Sequence, residues 1–355
     1  MKQAVWTGSE INFTETQDGP PPPRRRDDVR LRILAAGVCG TDVHIWEGRI
    51  SFAKPPIILG HEFVGVVDAC GPDVRRVKPG DRVKCDSVVG CGQCPSCRRN
   101  ATQFCPEAME FGITVNGGWA QWLVAPERNL YHLPDTISDE VAAVMDVEVM
   151  GAFRKPGICT GDTVAVFGAG PAGLIAIQCA RIRSAGTVIL CGTRSERLAL
   201  GKRLGADHVI DVSRTDVEAE IKSLTGGRGV DLAFDAAGTE KAILDALKVV
   251  RPQGRVVLYG VPDRGIPDFP AKDVVLKDLV VYGALSDRTG WEELIELVAG
   301  GRIDLQSLIT HRFPLERAGE ALSIMRDRRD GAIKAVLRIA ESSASAPAGA
   351  RKQVA

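Results

Sequence analysis

A chain of 355 residues is too long for one ordinary core and points to two domains. Lys plus Arg and Asp plus Glu balance at 45 each, which gives no electrostatic case for nucleic acid or a membrane surface as partner. No apolar run approaches the roughly 20 residues of a membrane-spanning helix, and residues 1–10 lack the basic start and apolar core of a secretion signal, so a cytoplasmic location is expected.

Residues 1–36 read as strand, turn, strand, with a Pro-rich break at 20–23 and a charged tip at 24–28. Residues 29–34 alternate with a period of two, as a half-buried strand does. The stretch 39–62 then gathers a thiol, two imidazoles, a hydroxyl and carboxylates: Cys39, Thr41, Asp42, His44, His61 and Glu62. A catalytic zinc takes three protein ligands and keeps one open position, and Cys39 and His61 can supply two of them. The alternative is a small buried thiol beside a core histidine. Further short strands, joined by Gly and Pro turns, suggest an all-β or barrel-like first domain.

Cys91, Cys94 and Cys97 sit three apart, and Cys105 follows eight later. Four thiolates at this spacing suit one closed, structural zinc; two disulfides or an iron–sulfur cluster are the rival readings. From residue 161 the texture changes. Residues 163–167 form a continuous apolar strand that runs into Gly168-Ala-Gly170-Pro-Ala-Gly173 and a helical segment, with a second strand at 187–191. That is the context the dinucleotide fingerprint requires. Strand and helix patterns alternate to residue 283, about six strands in all, which predicts a doubly wound parallel sheet. The fingerprint usually carries an acid about 20 positions beyond the glycines, which binds the ribose 2′-hydroxyl. Here the strand ends in Gly192-Thr193-Arg194, with Arg197 one helical turn on. A hydroxyl and guanidinium groups suit a 2′-phosphate, so NADP is favoured over NAD. Residues 341–355 show no periodicity and are expected to be disordered.

These motifs, together with Ile309-Thr-His-Arg-Phe313, resemble the zinc-dependent medium-chain alcohol dehydrogenase family, and within it the threonine and sorbitol (polyol) dehydrogenase branch. The resemblance covers nearly the whole chain. It implies an α/β protein with a GroES-like β-barrel catalytic domain at 1–147 and 284–340, carrying a structural zinc lobe at 90–106. It implies a Rossmann domain at 148–283. It makes Cys39, His61 and Glu62 holders of a catalytic zinc and places an acidic ligand at Asp146, with Glu148 as the rival. It makes Cys91, Cys94, Cys97 and Cys105 the ligands of a structural zinc. Asp42 becomes the carboxylate that orients the zinc-binding imidazole. Thr41 and His44 become a proton relay, although Thr41 also suits a helix N-cap.

The implied reaction is hydride transfer between a secondary alcohol, whether polyol, cyclitol or amino alcohol, and NADP or NAD. A zinc-free quinone or enoyl reductase of the same superfamily is one alternative, and a non-catalytic binding protein is another. Ser87, four residues before Cys91, falls where the family places a pocket side chain, and its hydroxyl favours a polar substrate. A homodimer or homotetramer is expected from the family.

Overall fold

The computed structural model describes residues 1–145, 147–285 and 287–340. Asp146 and the 341–355 tail lie outside the described residues. The chain begins with strands β1 (Lys2–Trp6), β2 (Ile11–Glu15) and β3 (Asp28–Val38), the short helix α1 (Gly40–Trp46), and strands β4 (Ile57–Ile58), β5 (Phe63–Cys70), β6 (Arg82–Cys85) and β7 (Val88–Val89). There follow α2 (Pro95–Arg98), β8 (Met109–Glu110), β9 (Trp122–Pro126), β10 (Leu130–His132), α3 (Asp139–Ala143) and α4 (Val147–Ala152).

β3 is the hub of this half. It is eleven residues long and nearly all buried, so its backbone must find partners on both edges along its whole length. It pairs antiparallel with β5 and β9, and its far end takes a strand from the C-terminal region. Register shifts at Arg30/Leu31 and Ile33/Ala35 mark bulges, which bend the strand and let one sheet curl around Leu31, Ile33, Phe63, Val83 and Leu123. This is the barrel-like first domain.

The second half alternates β11 (Thr163–Phe167), α5 (Pro171–Ile182), β12 (Thr187–Gly192), α6 (Ser195–Arg203), β13 (His208–Asp211), α7 (Val217–Leu224), β14 (Val230–Asp235), α8 (Glu240–Val249), β15 (Val250–Leu258), α9 (Ala271–Leu276) and β16 (Val280–Gly283). The six strands are all parallel, in the order β13-β12-β11-β14-β15-β16. β11 shows why its residues are apolar throughout. Val164 and Val166 face one core, Ala165 and Phe167 the other, so neither face can be polar. Strand order reverses between β11 and β14, which opens a crevice at the carboxyl ends of these strands.

The chain ends with α10 (Trp291–Ala299), β17 (Ile309–Pro314), α11 (Ala318–Asp327) and β18 (Lys334–Arg338). After β16, where the return to the first domain is expected from residue 284, α10 packs among residues of both halves. Trp291, Leu294 and Ile295 bury with Leu174 and Ile177 of α5, and Gln178 exchanges hydrogen bonds with the main chain of Asp304 (2.7 and 3.2 Å). An amphipathic helix goes where its apolar stripe is covered, and here α4 packs against it while Trp291 reaches Tyr131 of β10, with ring centroids 5.7 Å apart. β17 pairs with β18, and β18 pairs with β3. No described helix is long and apolar enough to cross a membrane.

Candidate active site

Cys39 ends β3 and stands as the N-cap of α1, and His61 and Glu62 lead into β5. The antiparallel pairing of β3 with β5 therefore brings two stretches more than twenty residues apart to one place. One ligand atom each of Cys39, His61 and Glu62 lies within 4.8 Å of the others. Asp42, with no solvent exposure, locks this arrangement. Its Oδ2 accepts the Cys39 N–H at 2.8 Å and its Oδ1 accepts the Gly60 N–H at 3.3 Å. The same Oδ1 stands 3.5 Å from His61 Nδ1. One carboxylate thus fixes the backbone of the thiol and the orientation of the ring, and leaves the thiol and ring nitrogen for a ligand. Because Cys39 takes the N-cap position, Thr41 is not the cap. Thr41 lines the cleft, with its Oγ1 4.0 Å from Cys39 Sγ. His44, half-buried in the last turn of α1, is not among the cleft-lining residues.

Two buried atoms here make no hydrogen bond, His61 Nδ1 and Glu62 Oε2. Glu62 Oε2 is an orphaned acceptor beside a thiol and fits a cation, while His61 Nδ1 faces the Asp42 carboxylate and leaves the other ring nitrogen for a ligand; the S, N and O donor set suits zinc. Burial opposes charge on the His61 imidazole, but Asp42 and Cys39 outweigh it and hold its pKa well above the ordinary range. Glu62 is not simply a ligand in waiting. Its Oε1 accepts from Lys334 Nζ at 2.6 Å, and both residues are buried. Burial works to raise its pKa, yet Lys334 and His61 bring it below the carboxylate norm. Glu148, the expected rival ligand, is paired instead with Arg288.

The cleft has a volume of about 260 Å³ and walls from both halves of the fold. Cys39, Thr41 and His61 face it from the first domain; Glu148, Tyr259, Arg288 and Trp291 come from α4 and beyond. Ser87, as the sequence suggested, is on the wall. Lys84, Arg288 and Lys334 were missed. The only local signal is a cation at an inward strand position, as with Lys84 in β6 and Lys334 in β18, both fully or nearly buried.

In the second cluster the Sγ atoms of Cys91, Cys94, Cys97 and Cys105 all lie within 4.8 Å of one another. Main-chain N–H groups of Cys94, Cys97 and Cys91 donate to the sulfurs of Cys91, Cys94 and Cys105, each at 3.4 Å. The N–H groups of Gln93 and Cys94 bring the Cys91 thiol down to about 7, whereas burial pushes Cys97 up to about 12. All ten cysteines are free thiols, which removes the disulfide alternative. Four converging sulfurs leave no open position, so the cluster can hold a metal only structurally.

At the crevice of the parallel sheet, Gly168 has φ +108°, a left-handed conformation that makes the tight turn out of β11. A Cβ on Gly173 would lie 1.7 Å from the Gly168 carbonyl oxygen, so only glycine lets α5 close onto that turn. Gly170 is the N-cap of α5, with Pro171 next, and open space surrounds it. Free N–H groups at this helix start can face a pyrophosphate. Gly192 ends β12, and Thr193 and Arg194 follow, exposed and half-buried, with Arg194 at the N-cap of α6. Arg197 donates to the Ala332 carbonyl. Burial first, then the neighbouring charges of Arg194 and Arg328, lower its pKa to about 10.

Residues 25–135 match the alcohol dehydrogenase GroES-like domain, and residues 171–300 match the zinc-binding dehydrogenase family. An L-threonine 3-dehydrogenase of Anaeromyxobacter sp. (strain Fw109-5) is 35% identical over 341 residues, which cover 94% of this chain and 98% of that protein. The chain belongs to the zinc-type medium-chain alcohol dehydrogenase family. Sorbitol dehydrogenase of Bacillus subtilis (strain 168) is 32% identical, covering 91% of this chain and 92% of its own. A zinc-binding dehydrogenase structure from Sinorhizobium meliloti 1021, solved bound to NADP, superposes with a TM-score of 0.88 at 29% identity, covering 95% of this chain and 98% of its own. Membership in the medium-chain alcohol dehydrogenases makes the chain an NAD(P)-dependent oxidoreductase of alcohols with the GroES-like plus Rossmann architecture.

Proposed function

We propose that this medium-chain dehydrogenase oxidises a polar secondary alcohol with NADP, at a zinc held by Cys39, His61 and Glu62. The observation that carries the reading is the convergence of those three ligand atoms, within 4.8 Å, on the wall of a cleft shared by both domains. Bound there, zinc supplies a Lewis acid that lowers the pKa of a substrate hydroxyl. Asp42 keeps His61 aimed at that position, and Lys334 holds Glu62 ionised. Thr41, on the cleft wall beside Cys39, receives the hydroxyl proton, and His44 farther along α1 delivers it outward. Asp146 remains the proposed further ligand. Cys91, Cys94, Cys97 and Cys105 hold a second, structural zinc. A zinc-free reductase has no use for two converging ligand sets, and a binding protein has none for a proton acceptor beside one of them.

Thr193, Arg194 and Arg197 support NADP, and Arg328 adds a cation near Arg197 from the end of α11. Arg197 spends one donor on Ala332, so Arg194 is the principal phosphate contact. An acid that favours NAD is best introduced at Thr193, because a Cβ at Gly192 would stand 2.8 Å from Ala169 Cβ. The protein is proposed to pair with a second copy along β16. That strand is one of the two edges of its sheet, and Val280, Val275 and Leu276 nearby are 46, 76 and 72% exposed. The deciding experiment is metal analysis of the purified protein together with kcat/KM for both cofactors. Two zinc per chain and a ratio favouring NADP are expected. One zinc in fully loaded protein overturns the site assignment, and a tenfold preference for NAD overturns the cofactor.

A further inference from the structure

We propose that Arg288 is a specificity-determining residue that selects uncharged polyols and cyclitols, using its guanidinium to bind a hydroxyl other than the one being oxidised. The inference rests on the alcohol dehydrogenase reading above and narrows its substrate class.

Arg288 follows β16 and leads into α10, is 8% exposed, and lines the same cleft as Thr41 and His61. Its Nε donates to Asp86 Oδ1, its Nη1 to Glu148 Oε1, and its Nη2 to Ser87 Oγ at 3.0 Å. A guanidinium carries five N–H donors in one plane. These three bonds leave one N–H on each terminal nitrogen, and the cleft is where they can be used. The anchors come from two places in the fold, the β6–β7 connection and α4, and Arg288 itself from a third, the segment after β16. A fork held at three points is already ordered, so binding an oxygen costs little further entropy.

Charge decides what kind of oxygen fits. Arg288 is countered by two carboxylates, Asp86 and Glu148, and Glu110 also faces the cleft. The other cleft cation apart from the metal set, Lys84, donates to the Ala143 carbonyl at 3.1 Å and lies 5.5 Å from the Trp291 ring centroid. Two cations therefore meet three carboxylates. A substrate carboxylate or phosphate would add an anion where the guanidinium is already doubly compensated, and like charges are costly at low dielectric. A hydroxyl accepts the same two N–H groups and brings no charge. A substrate lacking that hydroxyl strands buried donors, the situation that gives a polar site its strongest discrimination.

The test is a kcat/KM panel on the zinc-loaded enzyme with both cofactors, using sorbitol, myo-inositol, cyclohexanol, L-threonine and sorbitol 6-phosphate. Sorbitol or myo-inositol is expected to exceed cyclohexanol, L-threonine and the phosphate by tenfold or more. If L-threonine or the phosphate is the best substrate, or if cyclohexanol equals the polyols, the role of Arg288 is overturned while the dehydrogenase reading stands. If nothing in the panel reduces either cofactor, both fall. Arg288→Lys keeps the charge and loses the fork, so the ratio of polyol to cyclohexanol should drop about tenfold, mainly through KM. Glu148→Gln removes one countercharge and should raise the phosphate-to-sorbitol ratio. A purely structural Arg288 would lower the yield of folded enzyme and leave both ratios unmoved, and that result also overturns the proposal.

Discussion

Asp235, at the end of β14, has no solvent exposure and accepts N–H groups from Ala237 and Gly238 at 3.0 and 3.2 Å. Burial outweighs those bonds and pushes its pKa up to about 6, from an ordinary 3.8. Between these values the folded state keeps a proton that the unfolded state has lost, so stability falls as pH rises from about 4 to 6 and stays lower above that. The difference corresponds to about 3 kcal/mol. Asp235→Asn keeps an acceptor for both N–H groups and should raise Tm at pH 7.5 while leaving Tm at pH 4 nearly unchanged, as thermal melts across pH would show. Lys334→Met should do the opposite and destabilise the fold by about 3–5 kcal/mol in urea unfolding, because it strands the Glu62 carboxylate in the core. Cys39, His61 and Glu62 were legible in the sequence because unusual ligand types cluster within 24 residues. Lys334 and Arg288 were not. Each is a single cation whose partner lies 272 or 202 residues away, and no local pattern encodes such a pair.

Two elements carry their chemistry in backbone spacing. In the four-cysteine lobe, main-chain N–H groups face three of the sulfurs, an arrangement that suits thiolate ligands of one ion. Cys97→Ser should lower Tm and release one zinc per chain, with the other retained, because a structural metal contributes folding free energy. Loss of both metals, or of neither, in metal analysis of the variant would contradict separate sites. At the β11–α5 turn, Gly173→Ala would press a methyl into the Gly168 carbonyl. Cofactor binding measured by calorimetry should weaken at least tenfold, since α5 can no longer sit with its N-terminus at the crevice. Both elements were legible because glycine and cysteine spacing is short-range. The strands β4, β7 and β8 were not, since two residues have no period to read. The helix α10 has a clear apolar stripe, but a stripe does not say which half of the molecule will cover it.

At the scale of the molecule, the sheet edge at β16 should pair with its symmetry mate, and Val280→Lys should turn a dimer into a monomer in light scattering while leaving the secondary structure intact. A variant that stays dimeric places the interface elsewhere. The architecture of two domains was legible from the change in strand texture near residue 161; the shared core between them was not, because a cluster that takes in both Leu34 and Val64 of one half and Leu174 of the other depends on how the halves dock. The link between Glu62 and Lys334 has a bearing on how the protein is made. The cysteine lobe needs ligands at most fourteen positions apart, so it can take up metal as soon as that stretch leaves the ribosome. The carboxylate beside His61 receives its counter-ion only when β18, the last strand of the first sheet, has emerged and slotted against β3. On the proposed two-zinc reading, synthesis would impose an order on the metals: the structural ion could arrive on a nascent chain, and the ion beside His61 would wait for a finished one.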